Sequence, residues 1–206
     1  MSNDARPVVD VVILAAGRSS RMGGPNKLLA TFDGVPLVRR SAETALASGA
    51  RHVRVVVGHM RAEIGAALAG LDVSIIENPA YADGLSTSLK AGFAEAVAAG
   101  ADGVLVMLAD QPQLEPADLD RLIAAFAPEG RGAIVAAADG GKRRNPVLLS
   151  AGFADEIAAI AGDVGAQSVI AAHPDVLVTV EIGAAASVDV DTPEAMRAAG
   201  GAIVSG

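Results

Sequence analysis

The sequence predicts an α/β fold, with a mainly parallel central sheet layered between helices. Three observations carry that expectation. Short runs rich in Val, Ile and Leu alternate with Ala-rich segments of helical length along all 206 residues. Hydrophobic residues make up 51% of the chain but aromatics only 2%, so Ala, Val, Leu and Ile must build the core. That composition suits helices packed closely on a parallel sheet. Glycines and prolines fall where helices should stop and start.

In chain order, strands are expected at Val8–Leu14, Val53–Val57, Val73–Ile76, Gly103–Leu108, Ala133–Ala137, Pro146–Leu149 and Leu177–Glu181, with a further short pattern at Ser187–Val190. Helices are expected at Pro36–Ser48, Arg61–Ala69, Ser86–Ala99, Pro116–Ala127, Gly152–Ala161, Gly165–His173 and Pro193–Ala199. Gly49, Gly70, Gly100, Gly130 and Gly200 follow helical segments as stop signals, and Pro36, Pro116 and Pro193 sit at first-turn positions. No linker rich in Pro, Ser or charge interrupts the alternation and no repeat recurs, so residues 1–206 read as one domain.

Composition excludes several functions. A formal charge of −8 lacks the basic footprint that non-specific nucleic-acid binding needs. With no cysteine there is no disulfide, thiolate zinc site or cysteine nucleophile, which is consistent with a reducing cytoplasm. The start Met1-Ser2-Asn3-Asp4-Ala5-Arg6 lacks the features of a signal peptide, and no apolar run approaches the roughly 18–20 residues of a membrane span. A soluble cytoplasmic protein with neither nucleic acid nor membrane as partner is expected. His52, His59 and His173 are scattered without metal-ligand spacing and read as structural or exposed.

The strongest functional signal follows the first strand: Leu14-Ala15-Ala16-Gly17-Arg18-Ser19-Ser20-Arg21-Met22-Gly23-Gly24-Pro25-Asn26-Lys27. Glycines let backbone N–H groups approach a ligand, and Arg18, Arg21 and Lys27 neutralise its charge, a combination suited to a polyphosphate. The spacing fits neither familiar phosphate loop. No Gly-Lys-Ser/Thr follows Gly17, and Ala15-Ala16 fill the early glycine positions of G-x-G-x-x-G. The loop leaves the carboxyl end of a strand, the edge where open α/β sheets collect ligands.

Acidic groups point the same way. The buried-strand pattern Gly103–Leu108 breaks into Ala109-Asp110-Gln111-Pro112, placing Asp110 at that edge. Near a triphosphate such an Asp suits Mg²⁺, which takes one or two carboxylates plus phosphate oxygens. A turn or capping role before the helix at Pro116 is the plain alternative. Asp189 and Asp191 are two apart and would share one face of a strand, although Asp191 is also placed to cap the helix starting at Pro193. Asp110 alone would not assign a metal; with the basic loop and a second acidic site, phosphoryl chemistry is the coherent reading. The segment Asn78 to Ser88 leads into the helix carrying Lys90, so Ser86, Thr87 and Ser88 form either an anion site or an ordinary N-cap. Lys142, Arg143 and Arg144 are either a solvated charge run or a clamp for an acidic substrate.

These motifs together resemble the MobA-like nucleotidyltransferases, and most closely their molybdenum cofactor cytidylyltransferase branch. The resemblance spans nearly the whole chain. It rests on Leu14-Ala15-Ala16-Gly17-x-Ser19-x-Arg21-Met22-Gly23 with Lys27, Asn78-Pro79-x-Tyr81-x-x-Gly84-x-Ser86-x-Ser88-Leu89, Ala109-Asp110-Gln111-Pro112, Asn145-Pro146-Val147-Leu148, Gly162-Asp163-Val164-Gly165-Ala166 and Asp189-x-Asp191-Thr192-Pro193-Glu194. It implies a Rossmann-like three-layer α/β/α nucleotidyltransferase fold. It also implies transfer of CMP from CTP to the phosphate of a molybdopterin-type cofactor, releasing pyrophosphate, with a molybdoenzyme as recipient. On that pattern Leu14, Ala15, Ala16, Gly17, Arg18, Arg21, Lys27, Asn78 and Asp110 contact the nucleotide, and Arg21, Lys27 and Asp110 are catalytic. Asp110 and Asp191 would ligate Mg²⁺, while Ser86, Thr87, Ser88 and Asn145 face the acceptor. In the family Ala15-Ala16 goes with cytosine, where guanylyl-transferring relatives carry a second glycine.

The chemistry explains why no nucleophile–base pair is present. An acceptor phosphate is already nucleophilic at neutral pH, so the protein has to align it with the α-phosphate and neutralise the leaving pyrophosphate. Arg144 stands where the family pattern leads one to expect a small residue, and Gln167 where arginine is frequent. Both departures fall on the acceptor side. Transfer to another phosphorylated acceptor, a non-catalytic accessory role in molybdoenzyme maturation and an oxidoreductase activity are the alternatives.

Overall fold

The computed structural model describes residues 6–19 and 26–203. Its first strand, β1 (Val9–Ala15), is buried along its whole length. Val9, Val11, Ile13 and Ala15 pack on one side and Val12 and Leu14 on the other, the two-residue alternation of a strand covered on both faces. After it come β2 (Thr31–Phe32), β3 (Val35–Pro36), α1 (Leu37–Leu46), β4 (Val53–Val57), α2 (Arg61–Ala67), β5 (Ser74–Glu77), α3 (Leu85–Ala98) and β6 (Gly103–Leu108). The remainder is α4 (Pro116–Ala124), β7 (Ile134–Asp139), β8 (Lys142–Ser150), α5 (Ala154–Ala159), α6 (Gln167–Ala172), β9 (Leu177–Glu181), α7 (Pro193–Ala198) and β10 (Gly201–Ala202).

Seven strands form one sheet in the order β5-β4-β1-β6-β8-β7-β9. The first four are mutually parallel, β8 runs antiparallel to both its neighbours, and β7 and β9 are parallel. One face packs on α1, α2, α4 and α7 through Leu37, Ile64, Leu122 and Met196; the other packs on α3, α5 and α6 through Phe93, Ile157 and Ile170. The expected three-layer α/β/α architecture with a mainly parallel sheet is therefore what the chain forms. Among the described residues no helix is long and apolar enough to cross a membrane.

Two local expectations are corrected and one element is added. Ser187–Val190 is not a strand: Ser187 and Val188 N–H close back on Ala184 O of the 3-10 turn at Gly183–Ala186, and Val190 N–H donates to Asp110 O at 3.2 Å. The strand expected at Pro146–Leu149 begins earlier, because Lys142, Arg143 and Arg144 pair with Asp139, Ala138 and Ala137 in the arm of a hairpin. Those charges are exposed, so no apolar alternation marks the arm. A second sheet, β10-β2-β3, had no sequence signal because its strands are two residues long. Its β2–β3 turn uses Asp33 (φ 52°) and Gly34 (φ 81°), both left-handed as a two-residue hairpin requires.

Two buried features fix β1 in the sheet. Asp10, fully buried, accepts both Nε and Nη2 of Arg51 at 2.9 Å and is also bonded by Arg54 on β4. On the same face α3 crosses close over β1 and β4 at Gly92. A Cβ there would stand 2.3 Å from Val12 Cγ1 and 2.9 Å from Val56 Cγ2. Gly92→Ala is therefore expected to destabilise the protein by about 1–2 kcal/mol, although alanine is the better helix former by about 1 kcal/mol. Urea denaturation reads the difference, and a stabilised variant would refute the close crossing.

Candidate active site

The parallel register brings the ends of β1, β4, β5 and β6 to one edge of the sheet, and the candidate groups collect there. β1 runs out at Ala15 into Ala16, Gly17, Arg18 and Ser19. Ser19 is laced to Asn26 and Lys27. Ser19 Oγ donates to Asn26 Oδ1 at 3.0 Å and accepts from Lys27 N–H at 3.2 Å. Asn26 Oδ1 also accepts from Leu28 N–H at 3.0 Å, capping the 3-10 turn Lys27–Leu29 that begins with Lys27.

From that turn the Lys27 ammonium reaches two carboxylates. It donates to Asp110 Oδ2, just past β6, and to Asp191 Oδ1 at 2.5 Å, just before α7. Burial by itself would lower the Lys27 pKa. The charges and hydrogen bonds of Asp110 and Asp191 more than offset it and raise the pKa above its ordinary value. Lys27 is thus held as a cation in a largely desolvated position.

Each carboxylate has its own support. Ser41 Oγ on α1 donates to Ala109 O at 3.1 Å, and Arg40 Nε donates to Pro112 O at 3.1 Å, so α1 fixes the turn carrying Asp110. Val190 N–H binds Asp110 O, tying the Asp191 segment to the same turn. Capping falls to other residues. Thr192 Oγ1 accepts Ala195 N–H at 3.1 Å at the start of α7, and Asp118 Oδ2 accepts Glu115 N–H at 3.1 Å at the start of α4. Neither Asp110 nor Asp191 serves as a helix cap. Asp189, between the two segments, has its pKa pushed up to about 6 by burial and by the charges of Asp110 and Asp191, with Lys27 and the Gln111 amide opposing.

The residues present fit a divalent cation. Asp110 Oδ1 is buried and has no hydrogen-bond partner, while Oδ2 holds Lys27. Among the described residues no three Asp, Glu, His or Cys side chains gather to enclose a metal, so an ion here would complete its shell from ligand and water oxygens. That is how Mg²⁺ is usually held beside phosphates.

Two adjoining cavities meet at this edge, sharing Leu14, Leu85, Leu108 and Asp189 in their walls. The larger, about 720 Å³, is bordered by Ala16, Gly17, Arg18, Lys27, Asp110 and Asp191. The smaller, about 480 Å³, has an apolar floor including Leu89, Val106 and Ile170, and Arg143, Arg144 and Asn145 on its wall. Leu14, Ala16, Gly17, Arg18, Lys27, Asp110 and Asp191 are therefore brought together, with Ser88 on the same cavity and Asn145 on its neighbour. Ala15 is fully buried at the end of β1. Arg21 lies outside the described residues.

The Asn78–Ser88 segment is arranged differently. Asn78 is buried, with Nδ2 donating to Thr87 Oγ1 at 2.8 Å and Ser88 Oγ at 2.9 Å, and Oδ1 accepting Ala80 N–H at 3.0 Å. Asn78 and Thr87 are spent on each other, and Ser86 is buried at 1% exposure. The start of α3 is closed as well: Leu85 N–H donates to Asp163 Oδ1 at 3.2 Å and Ser86 N–H to Gly162 O at 3.3 Å. Donors that would have formed an anion site at this helix start are already satisfied from within the chain. The sequence puts Asp189 in a second acidic site and Tyr81 in a motif without giving either a role; both line the larger cavity. The Asp-x-Asp spacing and the only tyrosine of an aromatic-poor chain were the available signals.

The chain is similar to known proteins over most of its length. The MobA-like NTP transferase domain matches residues 11–176. A nicotine blue oxidoreductase of Paenarthrobacter nicotinovorans is 32% identical, over 95% of this chain and 98% of its own. The purine catabolism protein PucB of Bacillus subtilis is also 32% identical, over 91% of this chain and 94% of its own. Among solved structures, Rv0371c of Mycobacterium tuberculosis in complex with manganese superimposes with a TM-score of 0.75 at 26% identity, covering 93% of this chain and 97% of that one.

Removing the shared cation should expose the repulsion it suppresses. Lys27→Met is expected to cost about 2 kcal/mol, because the largely buried Asp110 loses its ionic partner. Adding Asp110→Asn to that variant should recover part of the loss in chemical denaturation. Losses that simply add would contradict the coupling.

Proposed function

The chain belongs to the MobA-like NTP transferase family, and from that membership we propose that it moves CMP from CTP to the terminal phosphate of a molybdopterin-type cofactor, releasing pyrophosphate. The observation that carries this reading is the Lys27 ammonium held between Asp110 and Asp191 beside the Ala16–Ser19 loop. In that reading the triphosphate lies in the larger cavity, where Lys27 and Arg18 meet its charge. Asp110 and Asp191 would hold Mg²⁺, which supplies charge neutralisation on the triphosphate. The manganese complex of the mycobacterial relative supports a divalent ion in this fold.

An oxygen of the acceptor phosphate forms the new bond to the α-phosphorus as the bond to the β-phosphate oxygen breaks, and pyrophosphate carries away the electron pair. No side chain has to remove a proton from a phosphate that is already ionised. The enzyme's contribution is alignment and charge neutralisation. Ala16 borders the larger cavity, and by the family resemblance Ala15-Ala16 in place of a second glycine goes with cytosine. The smaller cavity, with its apolar floor and Arg143 and Arg144 on the wall, suits a flat heterocycle bearing negative charge. The cytidylylated product would then pass to a molybdoenzyme.

A second reading, an oxidoreductase activity, is favoured by the name of the Paenarthrobacter relative. Against it, the turn after β1 carries Ala15-Ala16-Gly17 in place of the glycines that seat a dinucleotide pyrophosphate. Pyrophosphate release from CTP with molybdopterin and Mg²⁺ decides between them. Asp110→Asn is expected to lower the transfer rate at least about 100-fold while circular dichroism stays unchanged. A fully active Asp110→Asn enzyme would remove the metal role, and an NADPH-dependent reaction without pyrophosphate would replace the reading.

A further inference from the structure

The turn after β4, Gly58-His59-Met60, is tied to the loop after β1 by His59 N–H donating to Ala16 O at 3.2 Å. This turn also holds Tyr81. A Cβ on Gly58 would stand 2.6 Å from Tyr81 Cβ and Cγ and 2.8 Å from Cδ1, so the tyrosine occupies the space that only glycine leaves. The His59 ring flanks Tyr81 at 6.2 Å between centroids, tilted by 42°. Held from these sides, the ring presents itself to Arg18, whose Cζ lies 5.6 Å from its centroid. Tyr81 and Arg18 both border the larger cavity, along with Lys27. Among the described residues Arg18 has no carboxylate partner, so the ring is the one group that orients this exposed guanidinium.

We infer that Tyr81 is a positioning residue: its ring holds Arg18 at the wall of the larger cavity, ready for the phosphates of an entering nucleotide. This rests on the nucleotide-binding reading of that cavity. A long side chain left free in solvent loses rotamer freedom on meeting a ligand. A cation resting on an aromatic ring has lost part of that freedom beforehand, and an exposed contact of this kind corresponds to about a two- to fivefold change in affinity. Gly58 is then required by the site although it does not itself border the larger cavity.

The test is a double-mutant cycle on CTP binding with Mg²⁺, read by isothermal titration on the full chain. Tyr81→Leu should weaken binding about two- to fivefold, and Tyr81→Phe, which keeps the ring, should restore it. Gly58→Ala should reproduce the Tyr81→Leu loss by displacing the ring. In an Arg18→Ala background, neither Tyr81→Leu nor Gly58→Ala should cost anything further. Equal losses in both backgrounds would overturn the inference, because the ring would then act by packing alone, independently of Arg18. If the unaltered chain binds no CTP, the nucleotide reading itself falls and this inference with it; binding with additive losses removes only the role of Tyr81.

Discussion

The ammonium of Lys27 between Asp110 and Asp191 is the interaction on which the rest of the site depends. It joins positions 83 and 164 residues apart in the sequence. A buried cation beside one carboxylate would be an ordinary ion pair; here one ammonium holds together two carboxylates from distant segments, with Asp189 on the same cavity. Burial first, and the charges of Asp110 and Asp191 second, raise the pKa of Asp189. In the proposed reading, the buried Asp110 Oδ1 without a hydrogen-bond partner is where Mg²⁺ would be received.

The sheet explains why these groups meet. Four parallel strands direct every following turn to one edge, so the loops after β1, β4, β5 and β6 become neighbours whatever their separation in sequence. The single antiparallel strand, β8, adds its beginning to the same edge and brings Arg143, Arg144 and Asn145 to the second cavity. α1 serves both purposes: its apolar side packs on the sheet while Arg40 and Ser41 hold the main chain around Asp110. The site is therefore framed by rigid elements, the condition for holding charges in a fixed geometry.

Where a physical signal was local, the sequence was informative. The alternation of β-branched runs and Ala-rich segments announced the three layers, and the breaks after Leu14 and Leu108 located the basic loop and Asp110. Where side-chain satisfaction decided the outcome, sequence could not show it. Asn78, Ser86 and Thr87 carry ligand-binding chemistry, yet they close hydrogen bonds among themselves and with Gly84 and Gly162. Thr192 takes the capping role that Asp191 was equally placed to fill. The Ser187–Val190 alternation had a strand's pattern without a neighbouring strand to pair with. Tyr81 was visible within a motif, but its place beside Gly58 and Arg18 depends on two turns meeting across the sheet edge.

The most direct test of the central claim is isothermal titration of CTP, GTP, ATP and UTP into the unaltered protein, with Mg²⁺ and with chelator. If the Lys27, Asp110 and Asp191 cluster is a seat for a metal-bound triphosphate beside an alanine-lined base site, CTP binds selectively and binding is lost on chelation. Binding indifferent to the base would contradict the cytosine assignment. Binding of none of the four with Mg²⁺ present would contradict the account as a whole.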